Sequence, residues 1–491
     1  MNFKSPPHPR FFFTVLIFFY LLVHRPDISK DIIGRHNWRQ SQTMWNIRNF
    51  ARHDGNILNP RVSHYNTPNG TNLYRYEFPI MQWAMGMSQK LVGENILFVR
   101  LFTFLITTIG LIGFYKMLVL IGINGWQALL GAYFYLWSPI IYYFSINPIP
   151  DNLALAASVW YLYFIKAYWS NSERRHLLSA CLLLLLATLS KLPFLMFSIV
   201  SIYLFFKEFI LSQKRNSKEL IRYCLMHLIL FLPALTWYLW VMPGWGGNDI
   251  TRGIFANNMD HKMFRDILGY HISTMFPLRI LYPSVLVFFI LGIGTIRKER
   301  LRAGWIIALA SVTFIYLALQ FNTIGKDHDY YMMPFLPWMF VIVAIGLKPL
   351  IKSENVFKKA FLYIMILSAP IVSYITCKDF WTVEKSFFNK DAYTYQSELK
   401  SAVPNEAICI IANDRSKFIF SYLIDKMGYV FHDDQLQILW IEDMIMNKGA
   451  KYLYTDSRVI EEEEGFHKVI KRRIMERGSI SVYELADLNE R

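Results

Sequence analysis

The apolar run Phe11-Phe12-Phe13-Thr14-Val15-Leu16-Ile17-Phe18-Phe19-Tyr20-Leu21-Leu22-Val23 is followed, from Arg25 to Asn95, by about seventy residues that cannot share its surroundings. The run has the look of a signal peptide, but no small-residue cleavage site comes after it, so it reads as a retained first membrane span over 9–25. The segment behind it carries two dense polar stretches, Arg35-His36-Asn37-Trp38-Arg39-Gln40-Ser41-Gln42-Thr43 and Tyr76-Glu77-Phe78-Pro79. A chain that crosses a bilayer repeatedly needs only a few residues to turn around. Some seventy polar and aromatic residues kept on one side point to chemistry at the membrane surface.

Further apolar runs follow near 96–121, 126–145, 149–169, 175–190, 192–212, 221–242, 280–296, 303–321, 331–349 and 356–377. Crossing a hydrocarbon core of ~30 Å takes roughly twenty helical residues, so the pattern predicts a polytopic α-helical membrane protein with about eleven spans. Composition agrees: of 491 residues, 54% are hydrophobic, 17% aromatic and only 18% charged. Trp and Tyr are expected in quantity where a bilayer meets water. The net charge of +15 invites a nucleic-acid reading. Its distribution argues against that, because the basic residues fall in short loops and form no continuous basic face. The four cysteines, Cys181, Cys224, Cys377 and Cys409, have neither metal-clip nor disulfide spacing.

Basic residues in short loops set orientation. With eleven spans, Lys4 and Arg10, Arg174 and Arg175, Lys214, Arg215 and Lys218, the Arg297–Arg302 cluster, and Lys348, Lys352, Lys358 and Lys359 all fall on one side, the cytoplasm. The amino terminus is then inside and the carboxyl terminus outside. The long first loop, Pro243 to Arg279, the turn Asn322–Asp329 and the tail face outward. Two domains are expected: 1–377 in the membrane, with 25–95 as its long outer loop, and 378–491 outside.

In that tail Ala407–Ile411, Lys451–Tyr454 and Ile480–Tyr483 read as strands. The stretches Phe418–Lys426, Glu442–Asn447 and Lys468–Arg477 read as helices. Alternation of this kind predicts a small α/β domain with a largely parallel sheet. In the first loop, Trp38–His53 repeats Met44, Ile47 and Phe50 at three-residue spacing, and Phe78–Leu91 has a second helical pattern. Both read as surface helices lying in the interface plane, apolar face down.

Several groups could carry chemistry. His36, Arg39 and Glu77 fall at the starts of the two surface helices, where Arg39 and Arg48 could equally serve as headgroup anchors. In Asn147-Pro148-Ile149-Pro150-Asp151-Asn152 two prolines break the helical ladder, and Asp151 opens the next span as a cap or as a site carboxylate. Lys191, between apolar runs, either snorkels or meets an anion such as a lipid-linked phosphate. Lys326-Asp327-His328-Asp329-Tyr330-Tyr331 puts four titratable groups in one short turn, with the tyrosines also suited to an interface belt. That turn could bind a phosphate, a sugar or a divalent metal, the metal being the weakest of the three because no His-x-x-Glu-type spacing accompanies it; no cofactor is specified.

An amino-terminal span, a long loop with two surface helices, Tyr76-Glu77-Phe78-Pro79 opening the second, and an Asp-led fourth span resemble the GT-C membrane glycosyltransferases. They are most similar to bacterial relatives of the protein O-mannosyltransferases and the lipid A aminoarabinose transferases. His36-x-Trp38-Arg39-Gln40 and His328-x-Tyr330-Tyr331 are similar to a bacterial subgroup. The resemblance covers about residues 10 to 350 and lies in the order of motifs. It implies transfer, with inversion, from a polyprenyl-phosphate sugar to an envelope lipid, glycan or protein at the outer face of the bacterial inner membrane. It also implies a first-loop carboxylate as base, and here the chain departs from the pattern, with His36 at the corresponding place. The base is left among His36, Asp31, Glu77 and Asp151. Arg39, Lys191, His328, Tyr330 and Tyr331 are then the donor-phosphate candidates, and Trp38 and Gln40 the sugar-orienting ones. The competing reading is a flippase or polymerase of lipid-linked glycans. Transporters place charge near the midplane, in repeats that this chain lacks.

Overall fold

The computed structural model describes residues 6–66, 70–211, 217–245, 259–296, 300–386, 388–432 and 436–488. Lys4, Lys214, Arg215, Arg297 and Lys298, used above to assign sidedness, lie outside them. The chain forms two compact units: Met1–Ser29, Tyr76–Met81 and Ile96–Lys378 in the first, and Lys30–Arg75, Gln82–Asn95 and Asp379–Arg491 in the second. The second unit takes in the tail from Asp379 onward. Most of the first loop, expected in the membrane domain, belongs instead to the same unit as the tail.

In chain order the first helices are α1 (Pro9–His24), α2 (Asn37–Arg52), α3 (Ile80–Val92), α4 (Ile96–Leu120), α5 (Trp126–Leu136), α6 (Pro139–Phe144), α7 (Pro150–Asn171) and α8 (Arg174–Ser190). Helix covers each of the eleven apolar runs. By length and composition, Ile96–Leu120, Leu192–Ile210, Ser217–Trp245, Asp329–Ile351 and Val356–Trp381 are long and apolar enough to cross a membrane. The pair His261–Ile280 and Tyr282–Ile296 qualifies jointly, bent by 100° at its break. The run 126–145 is no single rod, because Pro139 cannot continue α5 and begins α6 as its first residue.

Val356–Cys377 shows how the first unit meets its solvent. Phe357, Ile364, Leu367, Ile371 and Ile375 are exposed along it, while Leu362, Ala369 and Ser373 are buried. An exposed apolar stripe of this length is costly in water and natural against lipid. Between helices, small residues permit close approach. A Cβ on Gly292 would stand 2.0 Å from the Ile342 carbonyl oxygen, and one on Gly346 would stand 1.8 Å from that of Phe288. Backbones that pass this closely gain van der Waals contact where lipid removes the hydrophobic drive.

The second unit is built on a five-stranded sheet: β1 (Ile408–Ala412), β2 (Met427–Phe431), β3 (Tyr452–Thr455), β4 (Ile470–Arg477) and β5 (Ile480–Leu485), in the order β2-β1-β3-β5-β4. β1 runs parallel to β2 and β3, but β5 is antiparallel to both β3 and β4. The sheet is therefore mixed, not largely parallel. The expected helix at Lys468–Arg477 is in fact strand β4, which turns at Gly478 (φ +58°) into β5. Its charged face is held by cross-strand pairs of Lys471 and Arg472 with Glu484. The hairpin partner β5 decided the conformation of this segment.

α2 departs further from expectation. Nearly all of it is buried, including Arg39, Gln40, Gln42, Asn46 and Asn49, so it is an interior helix and not one lying apolar face down on a membrane. Loop residues stitch it to the sheet side: Gly428 donates to the Ser63 carbonyl at 2.9 Å, Tyr65 donates to Gly428 at 2.9 Å, and Val430 donates to Asn66 Oδ1 at 2.8 Å. Before α2 the chain makes a tight pass at Gly34 (φ +83°), where a Cβ would lie 1.8 Å from the Phe380 carbonyl oxygen.

Candidate functional site

The first unit links six of the sequence candidates. The turn before α7 is fastened by amides. Asn147 Nδ2 donates to the Tyr143 carbonyl at 2.6 Å, and Asn152 Nδ2 donates to those of Phe144 and Asn147 at 3.0 and 2.9 Å. Arg100, fully buried in α4, donates to the Ile146 carbonyl at 3.2 Å and to Asn147 Oδ1. With Pro150 opening α7, Asp151 sits in its first turn, 1% exposed, where the helix dipole favours a carboxylate.

The opposing cation comes from the end of α8. Pro193 has no N–H to give the carbonyl four residues back, which is that of Leu189. That carbonyl receives the Phe78 N–H at 2.9 Å and the Tyr238 hydroxyl at 3.3 Å instead. The Tyr76–Pro79 segment is thereby docked on the end of α8, with Trp237 Nε1 donating to the Tyr76 carbonyl at 3.0 Å. Glu77, half-buried, lies within electrostatic reach of Tyr238. Lys191 leaves the helix in an extended conformation (φ −160°), and its Nζ stands 3.9 Å from Asp151 Oδ2 and 5.2 Å from the Tyr331 ring centroid. Lys191 is 8% exposed, so it does not snorkel. From Tyr331 the cluster continues to Tyr330 at 4.7 Å and His328 at 5.9 Å, ring to ring.

His328 also lines a cavity of about 430 Å³ with Asp260, Lys262, Asp266, Lys326 and Asp327. Among the described residues, no three His, Cys, Asp or Glu side chains gather as a metal site. Sequence reasoning missed Arg100, Tyr238 and Tyr316, the last within electrostatic reach of Asp151 and Tyr331. A lone arginine inside the 96–121 run was a signal for the first. The two tyrosines had none, since aromatics are common in every span.

The remaining candidates belong to the second unit, where most have structural bonds. Asp31 Oδ1 accepts the Tyr422 hydroxyl at 2.8 Å and the Ile32 N–H at 2.7 Å, and Oδ2 accepts Gln396 Nε2 at 3.1 Å. These bonds tie Asp31 to Tyr422 and Gln396. His36 holds a left-handed conformation (φ +56°) and its Nε2 accepts Arg35 Nε–H at 3.1 Å. Arg39 Nη1 donates to Gln42 Oε1 at 2.6 Å, and Gln40 Nε2 donates to the Arg35 carbonyl at 3.1 Å. Trp38 is half-buried at the start of α2. Arg48 is no headgroup anchor. With Arg52 and Lys400 it surrounds Asp425, at 3.3, 2.7 and 2.9 Å. Burial would raise the Asp425 carboxyl, but the Arg52 bond and the charges of Arg48 and Arg52 overcome it and hold the group well below the usual carboxylate range.

With this geometry in place, the chain can be compared with known proteins. The profile of the dolichyl-phosphate-mannose-protein mannosyltransferases matches residues 77–237. No curated protein sequence matches the chain. Apo ArnT from Cupriavidus metallidurans superposes with a TM-score of 0.61, covering 96% of this chain and 98% of that one at 12% identity. ArnT bound to undecaprenyl phosphate gives 0.58 at 12% identity, covering 96% and 97%. The oligosaccharyltransferase of Archaeoglobus fulgidus, in complex with Zn and sulfate, gives 0.55 at 13% identity, covering 96% and 73%. The chain is a multi-pass membrane protein with the fold of ArnT, and less than half of it, residues 77–237, matches the mannosyltransferase profile.

Proposed function

We propose that the protein transfers a sugar from a polyprenyl-phosphate donor to a cell-envelope acceptor at the outer face of the membrane, with inversion. The observation that carries this reading is Lys191, a buried cation set between Asp151 and Tyr331 beside the docked Glu77 segment. The undecaprenyl phosphate bound by the similar ArnT supports a lipid phosphate as the donor's leaving group. In this reading the acceptor oxygen forms a bond to the anomeric carbon as the bond from that carbon to the phosphate oxygen breaks. The phosphate leaves with the electron pair, and the acceptor proton passes to Glu77. Positive character grows on the sugar and negative charge on the phosphate.

Glu77 is the carboxylate assigned to the proton because it is half-buried, and so within reach of an acceptor hydroxyl. Lys191 meets the developing phosphate charge, where a fixed cation in a dry site is most effective. His328 and Tyr330 flank the same group, and Tyr331 and Asp151 position the lysine. The eleven-span count and the bacterial inner-membrane address accompany this reading. In purified full-length protein given a polyprenyl-phosphate sugar and candidate acceptors, Glu77→Gln is expected to lower acceptor-dependent release of polyprenyl phosphate by about 10²–10⁴-fold. Its level in the membrane is expected to be unchanged. Retention of wild-type turnover by this variant would remove Glu77 from the reaction. Glycan movement across vesicles without bond cleavage would sink the transferase itself.

A further inference from the structure

The helical stretch His261–Ile280 takes no part in the reaction described above. Asp260 starts it, accepting the Met263 N–H at 2.7 Å, and the residues behind that cap are sorted by side. Phe264, Leu268 and Ile272 recur at every fourth position, so they share one flank, and they are 45, 38 and 67% exposed. Ile267, His271 and Met275, on the adjoining flank, are buried. Lys262, Asp266 and Gly269 occupy the far side, and all three are exposed. The helix thus has an apolar flank that the protein leaves uncovered, beside the one that it packs.

What covers that flank follows from the next helix. Tyr282–Ile296 carries no charged side chain, and Ile290, Leu291 and Ile293 are exposed along it in the manner of the Val356–Cys377 stripe. Such a helix runs across the hydrocarbon, tilted by about 20° on average. The two helices meet at a bend of 100°. His261–Ile280 therefore lies within roughly 30° of the membrane plane. The bend is held from both sides. Tyr282 has a left-handed conformation (φ +38°) and its hydroxyl donates to the Phe134 carbonyl at 3.0 Å, while His271 Nε2 donates to the Gly325 carbonyl at 3.0 Å. Crossing is the alternative for a helix of this length, but Arg265, Asp266 and His271 would then sit in hydrocarbon, where charge is costly. A helix in the interface plane avoids this, with its apolar flank among the acyl chains and Lys262 and Arg265 at the headgroup phosphates.

We infer that His261–Ile280 is an in-plane helix bound to one leaflet of the bilayer through Phe264, Leu268 and Ile272. It thereby sets the depth of the cavity on its far side, which Lys262 and Asp266 line together with His328. The inference rests on the membrane spans and not on the transferase reading. The test uses full-length protein in nanodiscs of phosphatidylethanolamine and phosphatidylglycerol. Cys224, the exposed native cysteine, is replaced by serine, and nitroxide labels are placed singly at Phe264→Cys, Leu268→Cys, Ile272→Cys and Gly269→Cys. Labels at the first three should lie at one depth, about 5–10 Å below the phosphates, and collide more with oxygen than with a water-soluble nickel chelate. The label at Gly269 should show the reverse preference. A helix that crosses or dips would separate the labels at Phe264 and Ile272 by roughly 12 Å in depth. Such a step would overturn the inference, and so would nickel access at all three apolar positions. A second measurement uses the unaltered chain. A phospholipid with a diazirine at the top of its acyl chain should, on illumination, mark His261–Ile280 along with Val356–Cys377, as read by mass spectrometry. Marking of Val356–Cys377 alone would also overturn it. Neither readout involves turnover, so failure here is distinguishable from failure of the transferase assay.

Discussion

Asp151 in the first unit and Asp425 in the second are both buried carboxylates facing cations, at 1% and 8% exposure. Their surroundings differ in kind. Asp425 is gripped by Arg52 through two bonds of 2.7 and 3.0 Å, with Arg48 and Lys400 added, so that charge and hydrogen bonds are both saturated. Asp151 faces Lys191 at 3.9 Å, a distance at which the charges attract but make no hydrogen bond. A closed cluster resists change, which suits a fastening. A loose pair can admit a third party, which suits a site that must take up and release a phosphate.

The largest expected effect is on the loose pair. Asp151→Asn should reduce turnover by roughly 10²-fold or more and remove the carboxylate charge 3.9 Å from the buried Lys191 ammonium, at a folding cost of about 1–3 kcal/mol. Asp151→Asn/Lys191→Met should restore the amount of folded protein while leaving turnover low. If the double variant regains activity as well as abundance, the pair is structural and the contrast with Asp425 disappears.

Next comes a test of the second unit's own fastening, through pH. His64 packs between Tyr74 and Phe418, and burial, with Lys417 adding to it, pushes its imidazole down to about 4. As pH falls below about 6.5, the unfolded chain gains a proton that the folded chain refuses until about 4. Stability therefore drops across that window, by about 3 kcal/mol in all. His64→Phe should flatten hydrogen-exchange protection of the second unit between pH 6.5 and 4. An unchanged slope would mean that another group carries it.

A smaller loss is expected at the hub. Asp425→Asn should cost the second unit about 2–3 kcal/mol, discounted because Arg52 and Lys400 are partly in water. Asparagine tolerates the left-handed backbone there (φ +52°), so the change removes charge without adding strain. Wild-type stability depends on the depressed carboxyl being ionised, and it falls only below about pH 4, outside the His64 window. Denaturation midpoints at pH 7 and pH 3 separate the two. Equal losses for the variant at both would contradict the assignment.

What the sequence made legible follows from which forces act locally. Apolar runs marked most long helices of the first unit, because lipid demands the same composition along a whole span, but not the helical stretch His261–Ile280, which the sequence reading left in an outward segment. Asp151 and Lys191 stood out because charge there is costly wherever it occurs. The loop helix α2 was misjudged because its period is helical but its surroundings are set by the tail, hundreds of residues away. β4 was misjudged because an exposed edge strand carries charges that fit a helix as well. Tyr238 and Tyr316 reach the site only through packing that no local pattern announces.

The ties between the first loop and the sheet have one more consequence. Asn66 waits for Val430, a partner 364 residues further along the chain. At roughly 5–20 residues per second, that partner is synthesised about 20–70 s later. Throughout that interval α2, with its buried arginine and amides, has no finished interior to enter. The early loop is a client for whatever holds unfinished chains at the membrane, and loss of the last strands would strand it in that condition.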